Sequence, residues 1–303
     1  MRAGILRRAP AVRWAVLPLP VLALLALAAL LLVPEPGGPP AGTRRAAHPV
    51  TFYDARAFSL SLEETAEIPV VPMPGARAIV VPHHWLAGQL ILTSLRDLAA
   101  GGAYDRVIVI GPDHVGAASA GAATSDLPWE TPFGLLQADA ESVSRLAAEG
   151  AARVEPDTLS HEHSVAGIVP AIAYYLPDAA IVPLALRGDL DIGQVRALAR
   201  MLVPLLDDHT IAVASVDFSH YLSAPEARTR DAETLAAMEA MDSQRILAFG
   251  NEHLDSPPTI ALLTEIMRLL HRGEFTPRGN TNSGELSGLF RPPVTSYVTG
   301  YFR

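Results

Sequence analysis

The chain of 303 residues contains no cysteine. Disulfides, thiolate metal ligands and a cysteine nucleophile are therefore excluded. Any metal held by this chain must sit on His, Asp or Glu. Clustered basic residues are also missing beyond the N-terminus, and the formal net charge is −9. Nucleic acid binding requires phosphate neutralisation, so this balance argues against a nucleic acid partner. GxSxG, HExxH, Walker and GxGxxG signatures are absent. Serine hydrolases, zincins, nucleotide hydrolases and classical dinucleotide binders lose ground accordingly. Charged residues make up only 18% of the chain, against 50% hydrophobic, enough for one large domain or two small ones.

What is present begins at the N-terminus. Arg2, Arg7, Arg8 and Arg13 precede Trp14–Val33, a run of 20 residues without a charge. At about 1.5 Å per helical residue, such a run just covers a hydrocarbon core of roughly 30 Å. The excess of arginine before it predicts an N-terminus inside and the bulk of the chain exported. The reading is a basic segment over 1–13 and a single-pass signal anchor over 14–33, with the domain on the extracytoplasmic side. A cleaved signal peptide is the alternative, but its apolar run is usually shorter. Residues 34–50 are Pro/Gly-rich and read as an extended linker. Residues 51–303 show no composition break or repeat and read as one domain.

Within that domain, short apolar runs alternate with helical patterns. Strands are predicted over Arg77–Val81, Arg106–Ile110, Ala180–Leu186, Thr210–Val216 and Val294–Phe302. Helices are predicted over Ala87–Ala99, Glu141–Glu149, Asp191–Leu206, Asp231–Met241 and Pro258–His271. Continuous apolar strands separated by helices predict an α/β domain with a mainly parallel sheet covered on both faces. In such sheets ligands bind beyond the carboxyl ends of the strands. His83, Asp113, His114, Asp217 and His220 all fall there.

Three stretches carry the candidate chemistry. His83 and His114 follow two of the apolar strands, and imidazole is a common ligand for zinc, copper and iron. Asp113 beside His114 is a candidate for orienting it. The stretch "SHEHS", Ser160–Ser164, sets Glu162 beside His163, a pair suited to fixing a tautomer or moving a proton. Its structural alternative is a helix start at which Ser160 or Glu162 accepts from backbone amides. His161 and His163 are spaced to share one face. In "SVDFSH", Ser215–His220, His220 is a candidate general acid/base with Asp217 orienting it. The alternative there is an Asp cap with an incidental surface histidine.

Taken together, these stretches resemble the Memo family, also known as AmmeMemoRadiSam system protein B. "VPHHW", "VIVIGPDHVG", "TPFG", "SHEHS", "SVDFSH", "NTNSGE" and "VTGYF" occur in the family's order across roughly residues 75–303. The resemblance implies a fold shared with class III extradiol dioxygenases, which hold non-haem iron(II). It also implies a metal crevice on His83 and His114, with His220 matching the acid/base histidine of those enzymes. The chain departs from the family pattern in three places. His84-Trp85-Leu86 replaces Ala-Gly-Tyr, Ala166-Gly167 follows Val165 where a second acid is usual, and the family's Cys-Gly is absent. Matching backwards from "TIALL" puts Asp255 at the cysteine position. Two histidines and a carboxylate favour iron(II), whereas a thiolate would favour copper(I). The alternative is that Asp255 caps the helix beginning near Pro258, with Glu252 or His253 as the remaining candidates for a third ligand.

The expected function is a membrane-tethered, exported metalloprotein. Iron(II) is favoured over copper, and redox or dioxygenase-like chemistry acts on a small substrate. The alternatives are a non-catalytic metal- or ligand-binding module and a metal-dependent hydrolase.

Overall fold

The computed structural model describes residues 46–289 and 293–303. The main sheet has nine strands. They are β1 (Ala78–Val81), β2 (Arg106–Pro112), β3 (Ala122–Thr124), β4 (Arg153–Val154), β5 (Ala180–Leu186), β6 (Thr210–Ser215), β7 (His220–Leu222), β8 (Phe275–Asn282) and β9 (Val294–Phe302). Their order is β7-β9-β1-β6-β2-β5-β3-β4, with β8 also pairing β9. A separate three-stranded sheet joins His48–Pro49, Trp129–Thr131 and Gly134–Leu136.

The centre of the sheet follows directly from the apolar runs. In β1, β2, β5 and β6, neighbouring positions point to opposite faces, and both faces are covered. Val80, Ile108, Val182 and Ala212 pack with residues of the helices Ile192–Leu202 and Pro257–Leu269. Ile79, Val107, Ile181 and Ile211 pack on the opposite side with Ile91, Leu95 and Leu98 of the helix Gly88–Gly101 and with Phe58. Burying each such side chain stabilises by about 1.5–3 kcal/mol, which is why these strands tolerate no polar position between their ends.

The expected architecture needs correction at the edges. β1, β6, β2 and β5 are mutually parallel, but β9 runs antiparallel to β1, β7 and β8, and β3 runs antiparallel to β5. The sheet is therefore mixed rather than mainly parallel. The physical reason lies in the connections. Parallel neighbours need a crossover of a dozen or more residues, whereas β8 and β9 are joined by a short return and can only pair antiparallel. β8 also lacks the long apolar run that marks the central strands, reading "FTPRGNTN".

The membrane-anchored architecture and the extracytoplasmic location are corrected with it. Among the described residues no helix is long and apolar enough to cross a membrane. Trp14–Val33, on which that expectation rests, lies outside the described residues. What the structure supports is a single α/β domain with mixed sheets.

Helix positions follow the periodicity with shifted ends. Ala224–Glu239 starts earlier than expected because Ser223 and Glu226 form a capping box, so the helix begins where its free amides are first satisfied. Asp191 and Gln194 form a second such box, and the helix it starts gives way at Val203 to a 3₁₀ turn over Val203–Leu205.

The arrangement that matters for chemistry is the adjacency of β1, β6 and β2. They run in the same direction, with Val81 opposite Ser215 and Ile110 opposite Ala214. Neighbouring strands lie about 4.8 Å apart. The residues just past their carboxyl ends therefore stand within about two strand spacings of one another. His83, Asp217 and His114 are those residues.

Candidate metal centre

His83 lies two residues past β1 and is buried. Its backbone N–H donates to Asp217 Oδ1 at 3.1 Å. Its ring Nε2 lies 3.3 Å from Asp255 Oδ2 and 3.7 Å from Asp217 Oδ2. Across the crevice, His114 Nε2 lies 3.6 Å from the same Asp255 oxygen. The two loops that carry the acids are tied together by their backbones. Asp217 N–H donates to Asp255 Oδ2 at 3.2 Å, and Asp255 N–H donates to the Asp217 carbonyl at 3.1 Å.

Two sets of three side chains are compact enough to hold a metal ion, each offering one ligand atom within 4.8 Å of the others: His83, His114 and His163, and His83, Asp217 and Asp255. His83 belongs to both. The triad expected from the sequence, His83, His114 and Asp255, draws on each set. His163 stacks on His114, with ring centroids 4.1 Å apart and planes 23° apart. Imidazole lone pairs lie in the ring plane, so nearly parallel rings direct them side by side and not at a common point. That geometry favours Asp255 over His163 as the companion of His83 and His114.

Glu162 is the residue that orients His114. Its carboxylate accepts the His114 backbone N–H at 2.8 Å and lies 2.8 Å from the ring Nδ1. It also accepts Ser164 N–H at 2.8 Å, capping the short helix His163–Ala166. Orientation and capping are thus combined in one buried side chain. With Nδ1–H directed at Glu162, His114 Nε2 faces Asp255. Asp113, the expected orienter, instead caps its own loop by accepting from Ala117 and Ala118 N–H at 3.1 and 2.7 Å.

The remaining candidates sort by contact. Asp255 does not cap the following helix. That helix starts at Pro257 with Ser256 as its N-cap, and the Asp255 side chain turns into the crevice. His253 pairs with Glu233 at 2.7 Å and stacks on Phe249 at 4.1 Å, while the side chain of Glu252 is half exposed beside it. Both belong to that cluster and not to the crevice. His161, the exposed last residue of the helix Pro156–His161, turns its Nδ1 back onto the Asp157 carbonyl of the same helix. His220 Nδ1 lies 2.6 Å from the Phe218 carbonyl. This fixes Nδ1–H as donor and leaves Nε2 as acceptor.

Charge and burial are in tension throughout the crevice. Burial pushes the Asp255 carboxyl well up from its ordinary value, against the pull of His114, and it raises Asp217 as well. Burial also holds His83 far below the ordinary imidazole value, and the other histidines add to this. Burial alone would lower His114, but hydrogen bonds to Asp255 and Glu162 prevail and lift it to about 10. The same pairing holds Glu162 at about 2 in spite of its burial. Without a cation, the site keeps a proton on His114 to offset its carboxylates.

Among the atoms of the crevice triad His83, His114 and Asp255, two that are buried have no hydrogen-bond partner, His83 Nδ1 and Asp255 Oδ1. Buried polar groups are normally satisfied; Asp255 instead leaves Oδ1 orphaned and sets Oδ2 between two imidazole nitrogens, which is what a cation site presents. The donors are all nitrogen and oxygen, which suits divalent first-row metals. The residues therefore fit a metal, and its binding would displace the His114 proton.

Sequence reasoning missed two residues at this site. His84 Nδ1 lies 3.3 Å from Asp217 Oδ2 and 3.4 Å from the Tyr297 hydroxyl. His84 carries a signal, standing next to His83. Tyr297 carries none, being one residue inside β9 whose importance comes only from where that strand docks.

The profile of a family described as Memo-like protein matches residues 44–299. The MEMO1 family protein of Aeropyrum pernix is 31% identical over 284 residues, covering 85% of this chain and 97% of that protein. The MEMO1 family protein MK0963 of Methanopyrus kandleri is 27% identical over 253 residues, covering 79% and 85%. Among solved structures, the uncharacterized protein JW3007 from Escherichia coli K12 aligns with a TM-score of 0.51 at 14% identity, covering 75% of this chain and 100% of that one. That likeness concerns the fold alone.

Proposed function

This chain belongs to the Memo family, and we propose that it is a metalloprotein whose crevice holds iron(II) on His83, His114 and Asp255 for dioxygenase-like redox chemistry on a small substrate. Copper is the alternative metal. The observation that carries this reading is the convergence of His83 Nε2 and His114 Nε2 on Asp255 Oδ2, at 3.3 and 3.6 Å.

His83, His114 and Asp255 would hold the iron(II), which would supply redox chemistry towards dioxygen and substrate. The chain's own residues do the rest. Glu162 holds the His114 tautomer, and the His83 backbone is held by Asp217. His163 covers one face of the His114 ring and shields it from water. His220 is positioned to move a proton. Its Nδ1–H is committed to the Phe218 carbonyl, and burial lowers its basicity against the opposing pull of Asp217. A neutral imidazole with a free Nε2 is the form a general base requires at neutral pH. Asp217 thus serves both sides, fixing the loop of His83 and biasing His220.

Elemental analysis of the full chain, purified without a His-tag from an iron- and copper-replete host, tests the reading. The expected result is bound iron that disappears in Asp255→Ala and is exchanged for copper or zinc in Asp255→Cys. A wild-type chain that purifies metal-free and takes up neither iron(II) nor copper would overturn it.

A further inference from the structure

The crevice holds more donors than one ion can use, and they are not evenly spread. Beyond His83, His114 and Asp255 stands a second group. It consists of His84 on the loop after β1, Asp217 on the loop after β6, and Tyr297 within β9. His84 Nδ1 is the common point, 3.3 Å from Asp217 Oδ2 and 3.4 Å from Tyr297 Oη. These separations are long for hydrogen bonds, which cluster at about 2.7–3.0 Å. They match the spacing of neighbouring ligands around a metal: with bonds of about 2.0–2.2 Å, adjacent donors stand roughly 2.9–3.5 Å apart. The first group is spaced similarly, at 3.3 Å and a slightly longer 3.6 Å.

The geometry points to a second divalent cation site in this protein, formed by His84 Nδ1, Asp217 Oδ2 and Tyr297 Oη beside the first. Asp217 is the hinge between the two groups, since its Oδ2 also lies 3.7 Å from His83 Nε2. Its other oxygen is already committed to the His83 backbone N–H. Asp217 and Tyr297 are buried at 1% exposure each, whereas the His84 side chain is 53% exposed. The site is thus rooted in the fold on two sides and open on the third, which provides a path for a cation. Charge favours it as well. Asp217, Asp255 and Glu162 put three carboxylates into one buried region, and no Arg or Lys of the described residues pairs with any of them. Nitrogen, carboxylate and phenol oxygen donors without sulfur select a borderline or hard divalent ion such as iron, manganese, cobalt or zinc.

The second site does not depend on the first being correct, and one experiment separates them. The chelator-stripped full chain is titrated with cobalt(II), following visible absorption and the metal content after gel filtration. The expected stoichiometry is two cobalt per wild-type chain. One remains in His84→Ala, and one remains in His114→Ala, which affects only the first group. Because the His84 side chain is half exposed, its alanine variant should match the wild type in circular dichroism and melting. Tyr297→Phe keeps the ring, removes only the oxygen, and should weaken the second equivalent while sparing the first. A wild-type chain that takes up one cobalt lost only in His114→Ala overturns the second site and leaves the first standing. One cobalt lost only in His84→Ala does the reverse. Two equivalents retained in His84→Ala also overturn the inference.

Discussion

His48 and His83 are equally buried, at 1% and 4% exposure, yet their surroundings treat the ring nitrogens in opposite ways. His48 Nδ1 pairs with Ser160 Oγ and its Nε2 with Ser125 Oγ, both at 2.7 Å, and the ring packs 4.1 Å from Trp129. Nothing on that ring is left over. His83 has one nitrogen without a partner and the other facing two carboxylates across 3.3 and 3.7 Å. Burial alone does not separate a structural histidine from a ligand. Closed hydrogen bonding marks His48, whereas His83 leaves a ring nitrogen open towards neighbouring carboxylates, as the proposed ligand role requires.

The contrast is lost if the two histidines respond alike to substitution. His83→Ala should abolish metal binding at the first centre, read as metal per chain, with only modest loss of stability. His48→Ala should leave the metal content unchanged and destabilise the fold by about 1–3 kcal/mol, because two buried hydroxyls lose their partner. Metal loss in His48→Ala would erase the distinction.

His220→Ala tests whether a crevice histidine can act without being a ligand. It should retain metal and lose about 10²–10⁴-fold in rate, followed as oxygen consumption with catechol-type probes. An unchanged rate would place His220 with His48 among the structural histidines.

A pH titration of stability sharpens the contrast from the other side. Burial lowers His48 to about 4, opposed weakly by Asp126 and Asp157. The unfolded chain, with an ordinary imidazole near 6.5, therefore takes up the proton first as pH falls. The contribution of His48 is complete above about pH 6.5 and is lost between there and about pH 4. By linkage it amounts to no more than about 3 kcal/mol. Denaturant unfolding at stepped pH should show this fall in the wild type and a shallower one in His48→Gln. Equal slopes would mean that His48 is not the group responsible.

The smallest effect is expected from Glu162→Gln. The amide still reaches His114 but no longer fixes its tautomer by charge, and partners of this kind are typically worth 10–100-fold in metal affinity. A competition titration against a chelator of known strength should detect that weakening with the fold intact. Unchanged affinity would reduce Glu162 to its capping of Ser164.

Much of this is legible in the amino-acid sequence. The runs at β1, β2, β5 and β6 announce central strands because residues buried on both faces must be apolar without interruption. Their ends announce the site, since ionisable side chains directly after such strands belong at a sheet edge. His83, His114 and Asp217 are found on that ground. Asp255 follows from the family resemblance, with capping as its alternative.

What the sequence could not determine were the partnerships across long separations. Glu162 meets His114 from 48 residues away. Tyr297 meets His84 from 213 residues away. Neither pairing has a local pattern, because a side chain's partner depends on which strands lie adjacent and in what direction. The antiparallel edges of the sheet were hidden for the same reason: the apolar run of β9 marks a strand but not its direction, and β7 and β8 are held by the pairing of their backbones and not by an apolar signature. That Asp255 does not cap its helix was likewise decided by tertiary structure, which docked its loop on the backbone of Asp217 and turned its side chain towards His83 and His114. Sequence set which residues stand at the strand tips, and only the packing of the sheet decided which of them face each other.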